Sequence, residues 1–147
     1  ADVYASPEFI SSLDTASAIA NHVKVDSELW GCPVNSKQLI KAIRAYLFGV
    51  VPHREQDKVC LECKRQHNTC VVITKRLPCM GPVTVTGCGA ICPKHGRDCY
   101  ACYGPAENVN TRSLSRCFEG LGLTPDVIEK KFHLINSASP EFRITKE

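Results

Sequence analysis

Ten cysteines punctuate this 147-residue chain, and eight of them fall within residues 60–102. Their spacing is C-x2-C-x6-C-x8-C, then eight residues, then C-x3-C-x6-C-x2-C. Eight thiols make two sets of four, the number that one tetrahedral metal ion or one cubane iron–sulfur cluster takes. Among them lie Gly81, Gly87, Gly89 and Gly96, with Pro78, Pro82 and Pro93. Those residues interrupt helices and let backbone turn tightly around a compact object. The one sizeable apolar run in the stretch is Val71-Val72-Ile73. A segment this small and loop-rich needs staples beyond burial. The expectation is two inorganic cofactors wrapped in polypeptide, with no apolar core of the segment's own.

Two plainer chemistries compete for the same thiols. Dense cysteines in a small secreted chain usually form a disulfide framework. Against that stand good amphipathic helices outside the stretch, the lack of a secretory apolar region, and a C-x2-C pair at each end. Zinc is the harder rival. Zinc ribbons pair two C-x2-C knuckles, one per half-site, whereas each set of four here contains one. The comparison favours iron–sulfur, but spacing alone leaves both open.

Composition bounds the rest. The length suits one ordinary domain or two small ones. Net charge is +3 with histidines neutral, and Lys and Arg are scattered rather than striped, too weak a signal for nucleic acid. No stretch reaches the apolar length of a membrane span. The chain opens on Ala-Asp without targeting features, which fits either a processed start or a piece of something longer. Ten cysteines without disulfide signals suggest a reducing compartment, hence the cytoplasm.

The elements that would carry these thiols can be read in order. Residues 1–14 are polar and turn-like, and residues 15–22 fit a short helix or a loop. Residues 22–26 alternate apolar and polar side chains, which predicts a short half-buried strand. After Gly31-Cys32-Pro33, Asn35 can cap a helix, with Gln38 at the capping-box position. Leu39, Ile40, Ile43 and Leu47 then share one helical face, and Gly49 is a stop. Strand, turn and helix make half of an α/β unit, yet one such fragment cannot make a sheet. Residues 52–58 read as a charged linker. Beyond Pro105, Asn110 or Thr111 can cap a helix carrying Leu114, Cys117, Phe118 and Leu121, stopped near Gly120-Leu121-Gly122. Thr124-Pro125 opens another, with Val127, Ile128, Leu134 and Ile135. These two helices are expected to pack over the cysteine-rich region.

At Gly31-Cys32-Pro33, at Pro78-Cys79-Met80-Gly81-Pro82-Val83-Thr84, at Gly87-Cys88-Gly89-Ala90-Ile91-Cys92-Pro93, at Cys99-Tyr100-Ala101-Cys102-Tyr103-Gly104-Pro105 and over residues 132–143, the chain resembles a known family. It is similar to the small, electron-transferring subunit of [NiFe] hydrogenases. The likeness is greatest to the cytoplasmic, pyridine-nucleotide-linked kind, also called sulfhydrogenases. The resemblance covers nearly the whole chain, with its motifs in order. It implies the end of a flavodoxin-like domain at 1–55, followed at 56–147 by an irregular iron–sulfur domain with short helices.

The resemblance also implies ligand sets. Cys60, Cys63, Cys70 and Cys79 resemble the ligands of an outermost [4Fe-4S] cluster, with Cys60 where many relatives carry histidine. Cys88, Cys92, Cys99 and Cys102 resemble those of a middle cluster, and Cys92 stands where some relatives have proline and a three-iron cluster. Cys32 resembles the last ligand of a third, innermost cluster. No cysteine precedes it here, so its co-ligands would belong to an N-terminal half in the same or a separate chain. Implied partners are that half, the large subunit with the nickel–iron site, and diaphorase subunits carrying iron–sulfur and flavin. The chain would cleave no hydrogen by itself. The alternative, from another class, is a zinc-stabilised structural or nucleic-acid-binding module without redox activity.

Other conspicuous residues have plain explanations. Cys117, at an apolar helix position, reads as a buried inert thiol. His53, His67 and His95 sit among polar residues and read as solvated, although His67 could hydrogen-bond a cluster sulfur. Lys64, Arg65, Lys75 and Arg76 read as a solvated face, or as a charge-steered dock for an acidic redox partner. Trp30 reads as a core plug.

Overall fold

Asn35 starts the first long helix as its side chain allows. In extended conformation it accepts the Lys37 N–H at 2.9 Å, which satisfies one of the amides a helix start leaves unpaired. This helix, α1, runs Ser36–Leu47 and gives way to Gly49 in the left-handed region. The structure, a computed structural model, describes residues 6–9, 17–52 and 56–143. Further along come α2 (Val59–Arg65), α3 (Val71–Lys75), α4 (Ile91–Lys94), α5 (Thr111–Gly120) and α6 (Pro125–His133). Short 3-10 turns occupy Pro7–Phe9, Ile19–Asn21, Gly81–Val83 and Pro140–Phe142. His53 and part of the 52–58 linker, like most of residues 1–16, lie outside the described residues.

The strand expected over residues 22–26 is not formed. These residues are exposed turn and coil, because a lone alternating segment has no neighbouring strand to satisfy its amides. Extended backbone pairs instead around residues 83–86. Val85 bridges Lys58 on one side, and Thr84 bridges Pro105 on the other. Val59 N–H donates to the Thr84 carbonyl at 2.9 Å and Thr86 N–H to Asp57 at 2.8 Å. Val85 N–H reaches Gly104 at 3.0 Å, and Ala106 N–H reaches Val83 at 2.9 Å. This short ladder holds the start of α2 beside the loop that follows the last cysteine of the stretch.

The expectation that residues 60–102 lack an apolar core is corrected. Val71, Cys79, Met80, Val83, Cys99 and Ala101 are buried together with Leu114, Phe118, Ile128, Phe132 and Phe142. The core is shared: the cysteine loops supply one wall and α5, α6 and the final turn supply the other. Asn110 caps α5 by accepting the Ser113 N–H at 2.9 Å, and Thr124-Pro125 opens α6. Phe132 packs between Phe118 and Phe142, at ring separations of 6.1 and 5.9 Å. Each such pair contributes about 0.5–1.5 kcal/mol beyond area burial. Cys117 is corrected too. The buried stripe of α5 runs through Leu114, Ser115 and Phe118, which leaves the Cys117 thiol exposed.

The expected apolar face of α1 is present but uncovered. Of the whole helix only Ala42 is buried, while Leu39, Ile40, Ile43 and Leu47 are exposed. The segment before it is nevertheless docked. Trp30 lies on Gly104, where an added Cβ would collide with the indole, and Asn35 Nδ2 donates to the Gly87 carbonyl at 3.2 Å. Trp30 is a half-buried plug, its N–H donating to Glu28 at 2.6 Å.

Gly104 has φ +76° as well as that close contact. Gly104→Ala should therefore cost about 1–3 kcal/mol and release the ring. Emission of the single tryptophan shifting to longer wavelength checks it. Because the core is shared with α5 and α6, chelation of bound metal should not erase it. Amide exchange should stay slow at Met80, Val83 and Val85, which bond within the core and ladder, and accelerate in α2 and α4.

Candidate metal centre

Cys60 and Cys63 lie one turn apart on α2, so both thiols leave the same helical face. Cys70 stands at the start of α3, and Cys79 precedes the Gly81–Val83 turn. Burial pushes the Cys60 thiol up to about 11, and the nearby Cys79, Cys63 and Cys70 thiols push the same way. Cys63 is raised by burial and then by Cys70, against a hydrogen bond from Asn68. The fold thus gathers the first four cysteines into one electrostatic neighbourhood. Asn68, not His67, is the side chain that reaches a sulfur here; His67 is exposed.

The second set forms around the loop that leads into α4. Cys88 is raised chiefly by burial, opposed by the Ile91 and Ala90 amides and assisted by Glu62 and Cys102. Cys92, inside α4, is raised by burial and then by Cys102 and Asp98. Burial pushes Cys99 up to about 12, opposed by the Ala101 N–H and the Thr84 hydroxyl, with Cys79 and Cys88 adding to the rise. The two sets meet at their most buried members. Cys99 N–H donates to Cys79 Sγ at 3.2 Å, and Ala101 N–H to Cys99 Sγ at 3.5 Å. Cys32 is exposed, in a turn whose Gly31 lies against the Tyr103 ring.

All ten cysteines are free thiols. Among the described residues, no three Cys, His, Asp or Glu side chains converge as ligands of a single ion do. The donor chemistry fits an iron–sulfur group: eight thiols lie within residues 60–102, and backbone amides point at the sulfur of Cys79, Cys88 and Cys99. Amide donors favour charged sulfur over neutral thiol, the form that ligates.

Several contributors escaped the reading of the chain. Thr84, buried, donates its hydroxyl to the Met80 carbonyl at 2.6 Å and lies 3.7 Å from Cys99 Sγ. Lys131 pairs with Asp98 and sits 4.3 Å over the Tyr100 ring, placing a half-buried cation beside the second set. Glu62, inside the first C-x2-C, reaches across to the second set. Only an acidic residue between two ligands hinted at it. Lys75 and Arg76 are exposed, as a solvated face requires, and also donate to the Gly96 and Gly120 carbonyls at 2.8 and 3.3 Å. Among the described residues, no helix is long and apolar enough to cross a membrane.

No family model matches the chain. Known proteins do, and those it resembles are subunits of hydrogenases. It is 38% identical over 96 residues to sulfhydrogenase 2 subunit delta of Pyrococcus furiosus, covering 65% of this chain and 40% of that one. It is 31% identical over 107 residues to a subunit of the F420-non-reducing hydrogenase of Methanothermobacter thermautotrophicus, covering 59% and 35%. With the iron-sulfur subunit of the F420-non-reducing hydrogenase of Archaeoglobus profundus it shares 29% identity over 143 residues, covering 79% and 43%. The chain therefore spans less than half the length of each of these relatives. The likeness is thus to hydrogenase and sulfhydrogenase subunits, one of them named as an iron-sulfur subunit.

The raised thiols make a pH prediction for metal-free protein. Folded, Cys60 and Cys99 hold their protons to about 11 and about 12, against an ordinary 9.0. Their contribution to stability is complete below pH 9.0 and lost as pH rises through those folded values. The denaturation midpoint of the metal-free chain should fall across that window. Metal-loaded protein, with thiolates already formed, should show a flatter dependence.

Proposed function

We propose that this chain is an electron-transfer subunit of a [NiFe] hydrogenase. Cys60, Cys63, Cys70 and Cys79 hold an outer [4Fe-4S] cluster, and Cys88, Cys92, Cys99 and Cys102 hold a middle one. Cys32 is one ligand of a third, completed by a flavodoxin-like N-terminal half on the same or a separate chain. The relatives' greater length supports that missing half. The observation that carries the reading is the contact between Cys79 and Cys99. It makes ligands of adjacent sets neighbours within one buried core, and electron transfer falls steeply with separation.

When bound, the clusters store and pass single electrons. The chain's residues supply thiolates, aim amides at Cys79, Cys88 and Cys99, and bury the junction between the sets, all of which bear on potential. Electrons would run between the nickel–iron site of a large subunit and a flavin-bearing, nicotinamide-linked diaphorase in the cytoplasm.

Anaerobically purified chain should be brown and hold on the order of eight irons for two cubanes. A colourless protein with zinc on its cysteines would overturn the reading. Cys92→Pro removes one thiolate and leaves Cys88, Cys99 and Cys102. The oxidised variant should then show a three-iron electron paramagnetic resonance signal. In the assembled enzyme, nicotinamide reduction should fall more than hydrogen-dependent reduction of a dye that accepts electrons upstream. An unaltered four-iron signal would show that Cys92 is no ligand.

A further inference from the structure

Glu62 lies between Cys60 and Cys63 on α2, yet its carboxylate bonds wholly to the loop around Cys88. One oxygen accepts the Thr86 hydroxyl at 2.7 Å, the Ala90 N–H at 3.1 Å and, at 3.4 Å, the Gly87 N–H. The other accepts the Gly89 N–H at 3.0 Å. An ionised carboxylate is an acceptor with about four lone-pair positions, and here four donors approach it. The amides converge because the loop is bent into left-handed backbone: φ is +126° at Gly87, +74° at Gly89 and +45° at Ala90. Backbone N–H groups in such a turn can face one side and form a concavity that binds anions.

The loop depends on being filled. Ala90 is fully buried and holds a conformation unusual for a residue with a Cβ. Amides left unmet in such a place are costly. Water could satisfy exposed ones, but it would bring no charge and no tie to α2. The carboxylate brings both. Gly89 and Ala90 follow directly on Cys88, so an anion bonded to their amides sits beside that ligand, while its own backbone adjoins Cys63.

We propose that Glu62 is a positioning residue that clamps the Cys88 loop onto α2 and holds a fixed negative charge beside the middle cluster, lowering its potential. The proposal rests on the iron–sulfur reading above for its second half only. The clamp holds Cys88 in place whether or not metal is present. A fixed anion opposes the arrival of an electron nearby, so its removal makes the middle cluster easier to reduce.

Three full-length forms test this: the parent chain, Glu62→Gln and Thr86→Val. Glu62→Gln keeps the shape, removes the charge and turns an amide NH2 toward backbone donors. Amide exchange at Gly87, Gly89 and Ala90 should quicken at least tenfold in this variant, in metal-free and loaded protein alike. In loaded protein with unchanged iron content, redox titration followed by electron paramagnetic resonance should show the middle-cluster potential raised. The outer cluster should move less. Thr86→Val removes one neutral donor, so it should quicken exchange slightly and leave both potentials in place. Unchanged exchange in Glu62→Gln overturns the clamp. Faster exchange with unchanged potentials, or equal potential shifts in both variants, overturns the electrostatic role. A parent chain that binds no iron sinks the iron–sulfur reading and with it the electrostatic half, while the exchange measurement still decides the clamp.

Discussion

The structure depends on burying sulfur that must become charged. Cys79 and Cys99 are almost wholly buried within the shared apolar core, where an ionised thiol is costly. The fold answers with amide donors: Cys99 N–H to Cys79, and Ala101 N–H to Cys99. Bound metal would complete the compensation, since a thiolate on a cation is no longer an isolated charge. Much of the chain's geometry follows from that constraint. The turn after Cys79 and the bend after Cys99 place backbone amides at sulfur.

The apolar wall behind those sulfurs is built from distant sequence. Phe118, Phe132 and Phe142 come from α5, α6 and the closing 3-10 turn, and each is essentially unexposed. A fully buried side chain of this size contributes about 1.5–3 kcal/mol. The cysteine stretch thus gains from its C-terminal neighbours the burial that it lacks alone. Lys131 on α6 joins the same arrangement by pairing with Asp98 between Cys92 and Cys99.

What was legible in the chain was what depends on near neighbours. Asn35 and Asn110 cap helices by contacts two and three residues away, and Thr124-Pro125 opens α6 through its own backbone preferences. Less legible was whatever depends on a partner far along the chain. Residues 22–26 alternate like a strand but, among the described residues, have no strand beside them. Cys117 has apolar helix neighbours, but the core lies to one side of it. Leu39 and Ile43 carry the stripe of a buried helix, yet among the described residues nothing covers them. Glu62 carried little local signal, because its donors lie 24 to 28 residues onward.

The placement of the aromatic wall has a consequence for a shortened chain. The eight thiols of residues 60–102 precede Phe118, Phe132 and Phe142 in the chain, so a chain ending ahead of α5 would carry them without the aromatic wall. On such a chain the junction of Cys79 and Cys99 would have only one side, open to water and to oxidants. Closure of the core over the thiol junction therefore requires the chain as far as Phe142.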